Sequence, residues 1–142
     1  MSRQLEDEFM DLQSKLISLC LEVAEKKVDK IYAYASIEEK SKMFNAFFEV
    51  NGEMKTLNQL GLSSSLTNQF LKLGTGDLEK IRSVCKSFDK PVPTEIKMYY
   101  DVNTGKYNAD YKYKEVCSAR TGVSAGEIFM NWISEIKSTN GL

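Results

Sequence analysis

Apolar residues recur at helical spacing near the start of the chain, with polar residues between them. The steps of three and four residues predict an amphipathic helix over roughly residues 3–28. Its apolar stripe consists of Leu5, Phe9, Leu12, Leu16, Leu19 and Val23. Because the stripe covers only about three heptads, we expect it to face the core of the monomer and not to form a coiled-coil seam.

Two aromatic-rich runs follow at 31–37 and 43–50, and both have the composition of strands. Asn51-Gly52 comes directly after the second run. This pair is a strong signal for a two-residue hairpin turn, which returns the chain into 53–57. The runs therefore predict a three-stranded antiparallel meander. Because Phe47 and Phe48 are adjacent, they point to opposite faces, so we expect part of each face to be covered or one aromatic side chain to be left for a partner.

The segment 94–114 predicts a second hairpin and also its register. Two alternating runs, 95–101 and 106–112, flank the loop 102–105. If Asp101 faces Lys106, Lys97 lies opposite Asp110 and Glu95 lies opposite Lys112 on one face. The other face pairs Tyr100 with Tyr107, Met98 with Ala109, and Ile96 with Tyr111. We expect Asp101 to cap the turn amides, Gly105 to be left-handed, the tyrosine face to be buried and the charged face to look outward.

Helical signals return between residues 60 and 88, where the serines at 63–65 offer N-cap oxygens. Gly74-Thr75-Gly76 lacks the lysine and the spacing of a phosphate loop, so we interpret it as a helix break, which leaves one bent helix or two possible. Ser124 and Glu127 form a capping box before a C-terminal amphipathic helix. The order of elements predicts one α+β domain, 1–142, whose five-stranded antiparallel sheet (the meander plus the C-terminal hairpin) has its helices packed on one face.

Composition excludes several classes of function. A hydrophobic share of 42% suffices for an ordinary core, and a net charge of −1 argues against a general nucleic-acid binder. The N-terminus is acidic where a signal peptide is basic, and no apolar run has the length of a membrane span. We therefore expect a cytoplasmic protein that binds neither nucleic acid directly nor membranes.

Candidate chemistry is sparse. The sequence has no histidine, which removes histidine-dependent triads and histidine metal sites. Cys20, Cys85 and Cys117 are far apart, and we expect buried, reduced thiols. Asp101 and Asp110 share a face with lysines that neutralise them, which disfavours an acid/base pair. We predict no enzyme, no cofactor, no metal and no catalytic residue.

What remains is a surface suited to protein binding. Aromatic residues and paired charges on a rigid sheet are typical of protein–protein interfaces. The candidate partner-binding residues all lie on the charged face of the hairpin: Glu95, Lys97, Tyr99, Asp101, Asn108, Asp110 and Lys112. If that face is not the interface, the next candidate is the acidic surface of the first helix.

Three segments together resemble the YezG-like family of bacterial immunity proteins. They are DKIYAYASIEE (29–39), MFNAFFEVNGE (43–53) and PTEIKMYYDVNTGKYNADYKYKEV (93–116), and the last contains Gly105-Lys106-Tyr107 and Asp110-Tyr111-Lys112-Tyr113. The resemblance covers roughly residues 5–116 and rests on the order and pattern of segments. The chain departs from the family pattern at Gly74–Gly76 and around Trp132.

The resemblance implies a cytoplasmic antitoxin that acts in interbacterial competition. Such a protein binds a cognate toxin domain, often a nuclease delivered by a type VII (LXG-type) secretion system, and occludes it. Homo-oligomers are possible but not predicted. The alternative is a non-enzymatic oligomeric adaptor or structural protein that pairs through the stripe of the first helix, in which case Leu12→Asp or Leu16→Asp would dissociate a dimer instead of unfolding a monomer.

Overall fold

The structure, a computed structural model, describes residues 3–25, 27–38, 41–114, 116 and 122–139. Its elements in chain order are α1 (Arg3–Val23), β1 (Lys30–Ile37), β2 (Lys42–Val50), β3 (Glu53–Thr56), a short 3-10 helix (Asn58–Leu60), α2 (Ser64–Ser87), β4 (Glu95–Asp101), β5 (Tyr107–Lys112) and α3 (Ala125–Thr139). The strands form one antiparallel sheet in the order β3-β2-β1-β4-β5. The predicted α+β class, the meander and the C-terminal hairpin are confirmed.

The β4–β5 hairpin has the predicted register at every pair. Lys97 lies opposite Asp110, Glu95 opposite Lys112 and Tyr100 opposite Tyr107. Gly105 has a φ of 78°, in the left-handed region that glycine enters without a Cβ clash. The hairpin packs beside β1 through β4, so β1 is the central strand and β5 is an edge of the sheet.

One face of the sheet carries α1 and α2. Leu12 and Leu16 of the α1 stripe are buried in the core, together with Leu78 and Ile81 of α2. The tyrosines of β5, Tyr107 and Tyr111, pack at the edge of the same core, as the alternation of the hairpin predicts. The α1 stripe is therefore a core face, and a dimer seam through Leu12 and Leu16 would require both leucines to leave the monomer core.

The expectation that all helices pack on one face is wrong for α3. This helix packs on the opposite face, where Phe129, Trp132 and Ile133 are buried against the sheet. The reason lies in β1 and β2, which place Tyr32, Tyr34 and Phe47 on that face. These rings need a cover as much as the apolar side chains below α1 and α2 do. The Ser124–Glu127 capping box forms as predicted and starts α3.

The segment around Gly74-Thr75-Gly76 does not break the helix. A single helix, α2, runs from Ser64 to Ser87, and the Ser63 hydroxyl accepts the Leu66 amide at its N-terminus. Gly74 is buried where α2 crosses β2, and a Cβ built there would lie 2.1 Å from Cδ2 of Phe44. Gly74 thus allows a close approach between helix and sheet, whereas Gly76 has open space around its Cα.

Cys20 and Cys85 are buried free thiols, as the sequence predicts. Burial raises the pKa of both thiols above the ordinary cysteine value, which keeps them protonated at neutral pH. Cys117, the third predicted thiol, lies outside the described residues.

Candidate partner-binding face

The α3 helix covers only part of its face of the sheet. Its aromatic side chains pack on β1 and β2, where Trp132 lies edge-on to Phe47 with ring centroids 5.1 Å apart. Phe47 in turn stacks on Tyr32 at 4.6 Å with nearly parallel rings. Aromatic pairs at these distances and angles are favourable beyond the area they bury. The β4–β5 side of the face lies beyond this cluster, and we call its β5 part the open face: Asn108, Asp110 and Lys112.

Lys97 and Tyr99 on β4 form the border between α3 and the open face. The Lys97 ammonium lies 5.6 Å from the centroid of the Trp132 ring, a cation–π distance. Tyr99 is half-buried and its ring centroid is 5.3 Å from that of Tyr32. Lys97 lies opposite Asp110, yet among the described residues no ion pair joins the two side chains. The lysine is engaged by the tryptophan, and the Asp110 carboxylate is exposed.

Glu95, predicted to be a surface contact, is buried with only 1% exposure. Its Oε2 accepts a hydrogen bond of 2.8 Å from the Tyr34 hydroxyl, and its Oε1 lies 3.7 Å from the Lys112 ammonium. A buried carboxylate persists when it is both paired and hydrogen-bonded, and both conditions hold here. Glu95 is therefore an internal anchor that positions Lys112, and a partner cannot reach it.

Asp101 caps the β4–β5 turn as predicted. Its Oδ1 accepts the amides of Asn103 at 2.9 Å and Thr104 at 3.1 Å. An aspartate in this position satisfies turn amides that would otherwise face solvent. The carboxylate is half-buried and committed to the turn, so a substitution there would alter the hairpin as well as the surface charge.

The open face is accessible because the buried side chains of α3 pack on β1 and β2, and β5 lies at the edge of the sheet beyond them. Asn108, Asp110 and Lys112 are all exposed and alternate with the tyrosines that pack toward α1. Charged side chains on an edge strand also discourage unwanted strand pairing. Of the seven predicted partner-binding residues, the structure thus exposes these three. It places Lys97, Tyr99 and Asp101 half-buried beside them and removes Glu95 from the surface.

Two polar anchors were not identified from the sequence. Gln13 of α1 is fully buried, and its Oε1 accepts hydrogen bonds from the hydroxyls of Tyr107 and of Tyr111, the latter at 3.0 Å. Its spacing from Phe9, Leu16 and Ile17 is helical and was a usable signal for burial. Burial raises the pKa of Tyr107, with a smaller contribution from Tyr111.

Asp29 is the second anchor, and it ties the two hairpins together. Its Oδ2 accepts the Asn51 amide at 2.9 Å, and its Oδ1 accepts the Asn103 side-chain amide at 3.4 Å. Its backbone oxygen accepts the Val102 amide at 2.9 Å. The turn of the meander and the turn beside the open face are therefore fixed to the same residue. A single aspartate before a strand gives no sequence signal for such a long-range role.

In the described part of the chain, no three or more Asp, Glu, Cys or His side chains are arranged to hold a metal ion. Across the same residues, no helix is long and apolar enough to cross a membrane. Neither a protein-family model nor a curated protein matches the chain.

Proposed function

We propose that the protein is an immunity protein that binds and neutralises a cognate secreted bacterial toxin without catalysing a reaction. The observation that carries the proposal is the open face, where Asn108, Asp110 and Lys112 are exposed beside the half-buried ring of Tyr99. The resemblance of 93–116 to YezG-like immunity proteins includes this strand, through Asp110-Tyr111-Lys112-Tyr113. The proposed setting is the cytoplasm of a bacterium that delivers the toxin by a type VII system.

The mechanism we propose is occlusion of the toxin domain. A nuclease toxin needs a basic cleft for its substrate, and Asp110 offers a carboxylate to such a cleft. Tyr99 supplies an amphipathic ring, the type of anchor that contributes most to interface energy. In the free protein, Lys112 already pairs with Glu95, and Lys97 already lies over the Trp132 ring. Side chains ordered in advance lose less conformational entropy on binding than mobile ones do.

The test is a binding titration with the C-terminal domain of a toxin encoded by a neighbouring gene. Asp110→Lys reverses the exposed carboxylate without touching the Asp101 turn cap. We expect this variant to bind about tenfold or more weakly and to lose inhibition in proportion, since repulsion replaces attraction at a charged cleft. The matched control is Glu135→Lys, an exposed charge reversal on α3.

Three outcomes would count against the proposal. The first is a toxin domain that does not bind the wild-type protein at all. The second is binding that leaves the toxin active, because occlusion would then fail as the mechanism. The third is an affinity that Asp110→Lys and Asn108→Arg both leave unchanged, which would place the interface elsewhere. Circular dichroism of each variant keeps a loss of binding separate from a loss of fold.

A further inference from the structure

The α1–α2 layer has an outer groove that the proposed function does not use. At one end, Leu19 and Val23 of α1 and Phe70 of α2 line a cavity of about 240 Å³. Leu66 and Leu73 of α2 also line it, and they remain 51% and 50% exposed. Further along the same two helices lies a second cavity of about 430 Å³ that includes Leu12 and Val84. The open face lies on the opposite side of the sheet.

The charge pattern of α2 is a second, independent indication that the groove is an interface. Residues 64–76, which flank the apolar end, contain one charged residue, Lys72. Residues 77–87 contain five: Asp77, Glu79, Lys80, Arg82 and Lys86. A solvated helix face normally carries charges along its whole length, whereas depletion of charge around exposed leucines marks the centre of an interface. Helix α2 thus departs from a solvated pattern in the half where its leucines are exposed.

The opposite wall of the groove is acidic. Glu8 and Asp11 line the second cavity and Glu22 lines the first, with Lys15 as the one basic residue of α1 among them. Among the described residues, no ion pair engages these three carboxylates. On the α2 wall, Glu79 pairs with Lys42 at 2.7 Å and Lys80 with Asp77 at 3.6 Å, so those charges are neutralised internally. The net unpaired charge of the groove is negative.

We propose that this groove binds an amphipathic helix of another protein, with an apolar stripe against Leu66 and Leu73 and a row of Lys or Arg along the flank that faces α1. The walls extend from Leu66 to Val84 on α2, a rise of about 27 Å, which accommodates roughly five helical turns. The apolar stripes of α1, α2 and α3 already face the sheet, so the occupant is not one of these helices. An anionic membrane surface would be repelled by the acidic wall.

The test uses two synthetic peptides of about 18 residues, long enough to span the groove as helices. Both carry leucine at i, i+3, i+4 and i+7, and they differ only in lysine or glutamate at the flanking positions. Fluorescence anisotropy measures binding, and amide chemical shifts map the site. We expect the lysine peptide to bind saturably, with shifts confined to α1 and α2, and the glutamate peptide to bind at least about tenfold more weakly.

Two variants locate the site. Leu73→Glu should lower the affinity for the lysine peptide by about tenfold or more. Met130→Glu replaces a similarly exposed apolar residue on α3 and should leave the affinity unchanged. If Leu73→Glu does not fold, Glu22→Lys tests the acidic wall alone with the same expected direction. Equal binding of both peptides, no saturable binding, or equal losses in Leu73→Glu and Met130→Glu would overturn the proposal.

Two other occupants would also overturn it. A concentration-dependent dimer in analytical ultracentrifugation that Leu73→Glu dissociates would assign the groove to a second copy of the chain. Co-sedimentation with phosphatidylglycerol vesicles that Leu73→Glu abolishes would assign it to a lipid surface. Neither result would bear on toxin binding, since Asp110 lies on the other side of the sheet.

Discussion

The two glycines of α2 provide a test in which helix propensity and packing predict different results. Replacing glycine with alanine in a helix interior stabilises a protein by about 1 kcal/mol, and on propensity alone Gly74→Ala and Gly76→Ala should both gain that amount. The structure separates them. A Cβ at position 76 meets nothing within 4 Å, so the full gain should appear.

At position 74 the Cβ would lie 2.1 Å from Cδ2 and 2.7 Å from Cγ of Phe44. Phe44 is buried and packs on Phe70 with ring centroids 5.3 Å apart. The Cγ end of the Phe44 ring therefore cannot move without displacing its neighbours. Overpacking of this kind costs about 1–3 kcal/mol, and a contact this short belongs at the upper end. When the gain in helix propensity is subtracted from this cost, Gly74→Ala should be less stable than wild type by about 1–2 kcal/mol.

Urea denaturation, monitored by circular dichroism, measures the free energy of unfolding of both variants. The two values can be compared when the m-values are equal. The expected gap between Gly76→Ala and Gly74→Ala is about 2–3 kcal/mol. Adding Phe44→Leu to each chain gives a double-mutant cycle, in which the cost of Gly74→Ala should shrink because the smaller side chain leaves room. A Gly74→Ala protein at least as stable as wild type would refute the close approach between α2 and β2.

Three further perturbations probe the interior. Trp132→Ala should lower the free energy of unfolding by about 3–5 kcal/mol in urea denaturation, because α3 loses a large buried contact with the sheet. An unchanged midpoint would mean that the packing of α3 does not stabilise this face of the sheet. Gln13→Leu should cost about 1–3 kcal/mol, since two tyrosine hydroxyls lose an acceptor, and adding Tyr107→Phe should recover part of it. Because the pKa of Tyr107 is raised in the folded state, the unfolded chain loses its proton first. The melting temperature should therefore stay constant as the pH rises to about 10 and fall above that pH. The fall should be less steep in Tyr107→Phe.

The sequence predicts the register of the β4–β5 hairpin because the information for it is local. Charge complementarity, face alternation and the Asp101–Gly105 turn all select one register, and a shift by one residue breaks all three. The α1 stripe and the Ser124–Glu127 capping box are equally local patterns. The adjacency of Phe47 and Phe48 even indicates that both faces of the sheet need a cover.

The features that sequence reasoning missed depend on long-range geometry. The choice of face by α3 depends on the summed apolar area of Tyr32, Tyr34 and Phe47 after β1 and β2 have paired. Glu95 looks like a surface residue by alternation, and its burial beside the Tyr34 hydroxyl is not visible in the local pattern. Gly74 looks like a helix break until Phe44 is placed beside it. In each case the deciding neighbour is at least thirty positions away in the sequence.

The placement of α3 changes how the charged face of the hairpin can act. If all helices lay on one face, seven polar residues would form a flat and uniformly mobile surface. Instead Lys97 lies against Trp132 beside the open face, and Lys112 of the open face pairs with Glu95, the carboxylate that accepts the Tyr34 hydroxyl, so both lysines contact buried side chains. A partner that binds beside Asp110 and Tyr99 would therefore meet two lysines, Lys97 and Lys112, that already have a contact in the folded protein. On the proposed function, substitutions at Trp132 or Tyr34 should therefore weaken toxin binding even though neither residue belongs to the open face.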